Sequence, residues 1–345
     1  MTSTTPRADA LSARRGVGVP AGRRARVLRL LTRRVVQIPV ILLLVSILTF
    51  WLIQIVPGDP GRNALGPYAT LEQVQAWDAD HGLTGSFLSR YLSWLGGFVT
   101  GNWGDSFLYL VPAREFILAR LVNSLLLGLY AFVLMVPISI VLGAVQAYRA
   151  GRRSDRAITI TLMALSAMPE FVIGVLLLVL FAVVFPLVPV QAASALSGGF
   201  GDQLAVMTLP AITLAIAYLA VLTRMVRTGT ASAITAHYHR TAVLKGLGRW
   251  QVLRRHVVRN ALVPTLSLLG IYLGGLLGGS AIVETLFSYP GLGAAIVKAT
   301  SGKDVVLLTD GIMVTGLVSL LALLLTDIGL ILMDPRIRFE SGDER

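Results

Sequence analysis

The sequence contains no cysteine, which excludes disulfides, thiol nucleophiles and cysteine metal sites. It is poor in charge: Asp, Glu, Lys and Arg make up 14% of its 345 residues, where soluble globular chains average about 25%. Acids are scarcer still, 18 against 30 Lys and Arg. Signatures of chemistry are missing too. Gly302-Lys303 is the nearest approach to a phosphate-binding loop, but Asp304 follows it and no glycine stands at the required offset. The four histidines (His81, His237, His239, His256) include no H-E-x-x-H pair, and there is no G-x-S-x-G elbow. The expectation is a chain that is not an enzyme and holds no metal or cofactor of its own.

Apolar residues, in contrast, make up 55% of the chain and come in long runs separated by polar punctuation. Six such segments cover roughly Val35–Val56, Leu121–Tyr148, Ala157–Phe185, Leu204–Arg224, Leu262–Val283 and Val305–Met333. Each has the roughly 20 residues needed to span a hydrocarbon core about 30 Å thick. No segment alternates with period two, and lipid offers no partner to an open backbone, so the expected fold class is all-α: a polytopic membrane protein with six transmembrane helices. The first run exceeds the roughly 7–15 residues of a signal-peptide core and is followed by Pro-Gly-Asp-Pro, so it reads as an uncleaved span.

Charge sets the orientation. With the N-terminus inside, the cytoplasmic segments hold 24 Lys and Arg and the outer ones 6, which places both termini in the cytoplasm. The organisation is then a basic segment 1–34 with an interfacial helix over Arg23–Arg34, a first span 35–56, an extracytoplasmic segment 57–120, a core 121–335 with a cytoplasmic loop 224–262, and a tail 336–345. This distribution accounts for the net charge of +12 without nucleic acid.

Thr223–Pro264 holds eight Lys and Arg and no acid, and its middle, Tyr238–Gly248, reads as one short helix. A basic inner loop of that length suggests a socket for a separate motor subunit. Segment 57–120 holds six acids and Trp77, Trp94 and Trp103. It reads as one or two short helices that either bind an extracytoplasmic partner or cap the bundle.

Within the spans, Pro137, Pro169 and Pro210 permit kinks. Glycines at 270, 274, 275, 278 and 279 suit close packing, either inside the chain or against a partner subunit. Asp310 and Asp327 are near the ends of the last span and are expected at the interface, and Glu284 closes the fifth span. Glu170 follows Pro169 near the middle of the third. A charge there costs about 2.5–3.5 kcal/mol on insertion scales, so it should face a cavity or a partner group. It could meet a substrate ammonium, be protonated, or pair with a hydroxyl.

The chain resembles the inner-membrane permeases of ABC importers in the dipeptide/oligopeptide branch, which includes nickel and glutathione permeases. The likeness rests on Pro57-Gly-Asp-Pro60, Gly101-Asn-Trp-Gly-Asp-Ser106, Ser166-Ala-Met-Pro-Glu-Phe171, Arg240-Thr-Ala-Val-Leu-Lys-Gly-Leu247, His256-Val-Val-Arg-Asn-Ala261, the run Leu277–Gly293 and Met333-Asp-Pro-Arg336, in that order. It implies the type I importer permease fold, and a coupling helix at Tyr238–Gly248 with Tyr238, Arg240, Thr241, Ala242, Lys245 and Gly246 against the ATPase. It also implies Ser166, Pro169 and Glu170 as pathway candidates, and Glu284, Phe287, Pro290, Gly291 and Gly293 as an extracytoplasmic gate. Implied partners are a second similar permease, two ATPase domains that bind Mg-ATP, an extracytoplasmic solute-binding protein and the lipid. The chain departs from the family at Ser232, His237 and His239, where an acid, an Asp and a Val are usual. The competing reading is a stand-alone ion-coupled transporter or channel, with Glu170 and Asp327 carrying protons.

Overall fold

The computed structural model describes residues 22–55, 58–186, 199–236, 269–272, 274–276 and 280–333. These residues are helical, with no strand among them beyond one isolated bridge between Asp105 and Pro112. Among the described residues, four helices are long and apolar enough to cross a membrane, or up to six if each bent pair counts as one span.

The first helix, α1 (Gly22–Ile55), is continuous, with Pro39 inside it. The separate interfacial helix expected over Arg23–Arg34 is therefore fused to the first span. Three short helices follow instead of one or two: α2 (Pro60–Leu65), α3 (Leu71–Asp80) and α4 (Phe87–Thr100). Local chemistry starts and stops each of them. The Asp59 side chain accepts from Arg62 N (3.2 Å) ahead of Pro60, which needs no donor at a first turn. Thr70 and Gln73 form a reciprocal capping box, Ser86 caps α4, and Gly101 ends it at φ 85°, a left-handed position that glycine enters without strain.

Helices α5 (Ala113–Tyr148) and α8 (Phe200–Thr235) have 36 residues each. At 1.5 Å per residue they run about 54 Å, well beyond a hydrocarbon core of about 30 Å. They pack closely against each other because Gly143 of α5 meets the Thr223 carbonyl and Val226 of α8, where a Cβ would stand 2.7 Å from Val226 Cβ. The central core draws Leu127 and Ala131 from α5, Val206, Leu209 and Leu214 from α8, and Leu276, Val283, Phe287 and Tyr289 from the fifth span and the turn after it.

The third expected span is not one helix. It divides into α6 (Arg153–Ser166) and α7 (Glu170–Leu178, continuing as a π-turn over Val179–Val184), bent by 100°. Pro169 explains the break: it has no N–H to donate back, and its ring pushes Met168 out of the helical region. The fourth span overshoots its expected end at Arg224, so the inner loop begins as helix and continues so to Thr235.

The chain closes with α9 (Leu292–Gly302) and α10 (Val305–Met333). Gly270 and Gly274 of the fifth span lie on α10. A Cβ on Gly270 would collide with Thr326, and Ser319 Oγ donates to the Gly274 carbonyl (3.4 Å). Gly275 faces the Tyr218 hydroxyl. These three glycines thus serve packing inside the chain; residues 277–279 lie outside the described set.

Candidate functional site

The expected gate residues converge on one buried knot. Glu284 is fully buried at the end of the fifth span. Ser124 Oγ of α5 donates to its Oε1 (2.6 Å) and the Ala294 amide to its Oε2 (2.9 Å), while the Leu292 amide donates to Ser124 Oγ (2.8 Å). Leu292 and Ala294 belong to the first turn of α9, where amides lack helical partners and the helix dipole favours negative charge. Asn123 Nδ2 donates to the Pro290 carbonyl (2.8 Å), and the Tyr289 hydroxyl donates to the Asn123 carbonyl (3.0 Å). Burial, and then the Glu284 charge, push that hydroxyl above the ordinary tyrosine range.

Two glycines allow the knot to close. Gly291 packs on the Glu284 carboxylate, and Gly293 packs on Ala281, where a Cβ would lie 2.6 Å from Ala281 Cα. Phe287 is buried and reaches α7, because Gly174 presents no side chain there. Glu284, Phe287, Pro290, Gly291 and Gly293 are therefore brought together, and the assembly ties α5, α7, the fifth span and α9 into one unit. A carboxylate enclosed this way orders a turn.

Glu170 stands at the first position of α7, directly after the bend, with Ser166 and Pro169 exposed beside it. It is half-buried and within electrostatic reach of Tyr218 on α8, whose ring centroid lies 5.0 Å from that of Tyr272 on the fifth span. Ser166 Oγ is turned back to the Met163 carbonyl (3.1 Å). The three pathway candidates thus share one bend, with Tyr218 near the acid and Tyr272 packed on Tyr218.

The expected coupling residues Tyr238, Arg240, Thr241, Ala242, Lys245 and Gly246 lie outside the described residues. What is described is the helix that leads to them. Near its end Arg227 Nη2 pairs with Asp155 Oδ2 of α6 (2.8 Å). Asp155 is 4% exposed. The same oxygen accepts from the Gly151 amide (3.0 Å), and Gln146 of α5 bonds Thr159 (2.8 Å) alongside. Asp155 Oδ1 is buried with no hydrogen bond. This pair clamps α8 to the α5–α6 turn one turn beyond the Gly143 contact. Sequence reasoning missed it; the available signal was a single acid among four arginines, Arg149, Arg152, Arg153 and Arg156.

The last span also differs from expectation. Asp310 does not reach the interface: it is fully buried, and its Oδ1 accepts from Trp94 Nε1 of α4 (2.7 Å). Asp327 pairs with Arg34 of α1 (2.7 Å), so it is held as half of an ion pair. Asp304 caps α10 through Leu307 N (2.9 Å) and receives Ser106 Oγ (2.5 Å) and Leu108 N (3.0 Å) from the turn after α4. The Gly101–Ser106 motif therefore anchors residues 58–112 to the start of the last span.

Comparison with known proteins gives this architecture a family. Residues 135–339 match the profile of the binding-protein-dependent transport system inner membrane component, and residues 27–107 match the N-terminal region described for the same systems. A probable peptide ABC transporter permease of Sinorhizobium fredii is 32% identical over 89% of this chain and 98% of its own length. The oligopeptide transport system permease AppB of Bacillus subtilis is 33% identical over 90% and 99%. The dipeptide transport system permease DppB of Lactococcus lactis is 32% identical over 86% and 95%. With six apolar spans by sequence, a helical bundle that accommodates them, and matches running through both halves, the chain belongs to the inner-membrane permeases of binding-protein-dependent transport systems.

Proposed function

We propose that this chain is one of two permease subunits of an ATP-driven importer, and that with a second, similar permease it forms the pathway for di- and oligopeptides. The relatives named for peptide transport align along nearly their whole length, which favours that solute class over nickel chelates or glutathione. Both termini lie in the cytoplasm, as the excess of Lys and Arg on that side favours. An extracytoplasmic solute-binding protein delivers the peptide, and two ATPase subunits bind and hydrolyse Mg-ATP below.

The observation that carries this reading is α8. It is one continuous helix from Phe200 to Thr235, with Pro210 inside it, packed at one end beside the Glu284 knot through Met207 and Tyr289, and braced at the other by Arg227 on Asp155. A helix tied at both ends in this way can transmit a push on the basic segment 237–262 to the gate region. Tyr238, Arg240, Thr241, Ala242, Lys245 and Gly246 are then the handle, and Glu170 at the α6–α7 bend meets the peptide ammonium.

The test is reconstitution. Vesicles with this chain, its companion permease and the ATPase subunits should accumulate labelled dipeptide with ATP and binding protein, and should not when the ATPase is omitted. Uptake driven by an ion gradient in vesicles holding this chain alone would replace the reading with a secondary transporter. The Arg34–Asp327 ion pair argues against that alternative, since it occupies one of the two acids proposed to carry protons.

A further inference from the structure

A cavity of about 550 Å³ lies where the end of α1, one face of α4, the end of α3 and the start of α10 meet. Its size is within the roughly 300–1,000 Å³ of small-molecule sites. It is away from the Glu284 knot and the Glu170 bend, and neither uses it. Phe50, Ile53 and Val306 supply apolar wall, while Asp78, Arg90 and Lys303 bring charges of both signs.

Two of these charged groups are under-used. Arg90 Nη1 donates to the Leu83 carbonyl (3.1 Å), yet its Nε is buried without a hydrogen bond. Asp78 Oδ1 is packed against Gly61 and also lacks one. Burial, and then the neighbouring Asp59 charge, raise the Asp78 carboxyl above its ordinary range against the opposing pull of the Gly61 amide and His81, and a cation at that carboxylate would relieve the first two effects.

The setting identifies the kind of ligand. The outward faces of the two flanking helices are apolar: Leu48, Trp51, Leu52 and Ile55 on α1 and Leu88, Leu92 and Val99 on α4 are all 46–76% exposed. In a bilayer such faces are covered by acyl chains. A polar cavity behind two lipid-facing helices, with basic groups in it, is placed to take a headgroup from an adjacent lipid.

We propose that this cavity binds the headgroup of an amine-bearing phospholipid, phosphatidylethanolamine, with its phosphate at Arg90 and Lys303, its ammonium at Asp78 and its chains along α1 and α4. A phosphate accepts from the guanidinium, and a primary ammonium donates to the carboxylate. Choline has no such donor, and phosphatidylglycerol has no cation.

The test uses the full-length chain, purified in detergent and stripped of lipid, with thermal unfolding and native mass spectrometry as readouts. Short-chain phosphatidylethanolamine is expected to bind and raise the unfolding midpoint. Phosphatidylcholine, whose cation cannot donate a hydrogen bond, and phosphatidylglycerol, which has no cation, should at equal chain length need about ten-fold more or higher for the same effect. Arg90→Gln should abolish the response, and Asp78→Asn should erase the preference for ethanolamine over choline. Should Arg90→Gln not fold, Ser93→Phe fills the same cavity without changing charge and should likewise abolish binding. Equal retention of the lipid by wild type and these variants would overturn the proposal. So would equally tight binding of soluble glycerophosphoethanolamine, or stabilisation by a free dipeptide without stabilisation by lipid. None of these readouts requires transport, so the result stands apart from the permease reading.

Discussion

Gly291→Ala should be among the most damaging single-methyl additions in the molecule, and only because of what it meets. Gly291 has φ −92° and ψ 177°, which alanine adopts freely, so the backbone offers no objection. The obstacle is space: a Cβ there would overlap the Glu284 carboxylate. That carboxylate cannot step aside without loosening its bonds from Ser124 Oγ (2.6 Å) and the Ala294 amide (2.9 Å). Hydrogen bonds to a charged group are worth about 1.5–3 kcal/mol each, so losing both implies about 3–6 kcal/mol, with smaller losses if one is re-formed. The size of the effect alone would not identify its cause, so the design is a double-mutant cycle with Glu284→Ala. Glu284→Ala is itself destabilising, but it removes the obstructing group, and Gly291→Ala should then cost less than about 1 kcal/mol. Thermal unfolding of the purified chain in detergent reads both backgrounds. Equal destabilisation by Gly291→Ala with and without Glu284 would refute the reasoning, because the clash would then lie elsewhere.

Three further outcomes are expected. Arg227→Ala removes the partner of a buried Asp155 while Arg227 itself is 38% exposed; the loss should fall below the roughly 3–5 kcal/mol of a fully buried pair, at about 1–3 kcal/mol, and Asp155→Asn with Arg227→Gln should recover part of it in the same unfolding assay. In reconstituted complexes, a bulky residue at Gly246, or Glu at Arg240 and Lys245, should reduce peptide-stimulated ATP hydrolysis or release the ATPase on size exclusion while membrane insertion persists; normal uptake would count against the handle. Glu170→Gln should lower uptake of peptides with a free amino terminus more than that of N-acetylated ones, and equal effects on both would return Glu170 to a structural role.

Much of the fold was legible because membrane proteins announce their constraints locally. An apolar run of about 20 residues must be helical in lipid, and that holds whatever surrounds it. The excess of Lys and Arg on one set of loops likewise needs no knowledge of packing. Pro169 was visible as a point of weakness, but whether it yields a mild kink or the observed 100° bend depends on what α7 packs against, here the knot residue Phe287 meeting Gly174. The glycines of the fifth span were equally ambiguous until α10 was seen lying on Gly270 and Gly274.

Composition and order of residues thus determined a helical, polytopic chain, because hydrophobic length and charge bias are read one residue at a time. Tertiary structure alone decided the partners of its few acids. Glu284 meets Ser124 across 160 positions, Asp155 meets Arg227 across 72 and Asp310 meets Trp94 across 216. The physical reason is that a buried carboxyl group is tolerated only with a partner at hydrogen-bond distance, and distances between helices far apart in sequence are set by how the bundle packs.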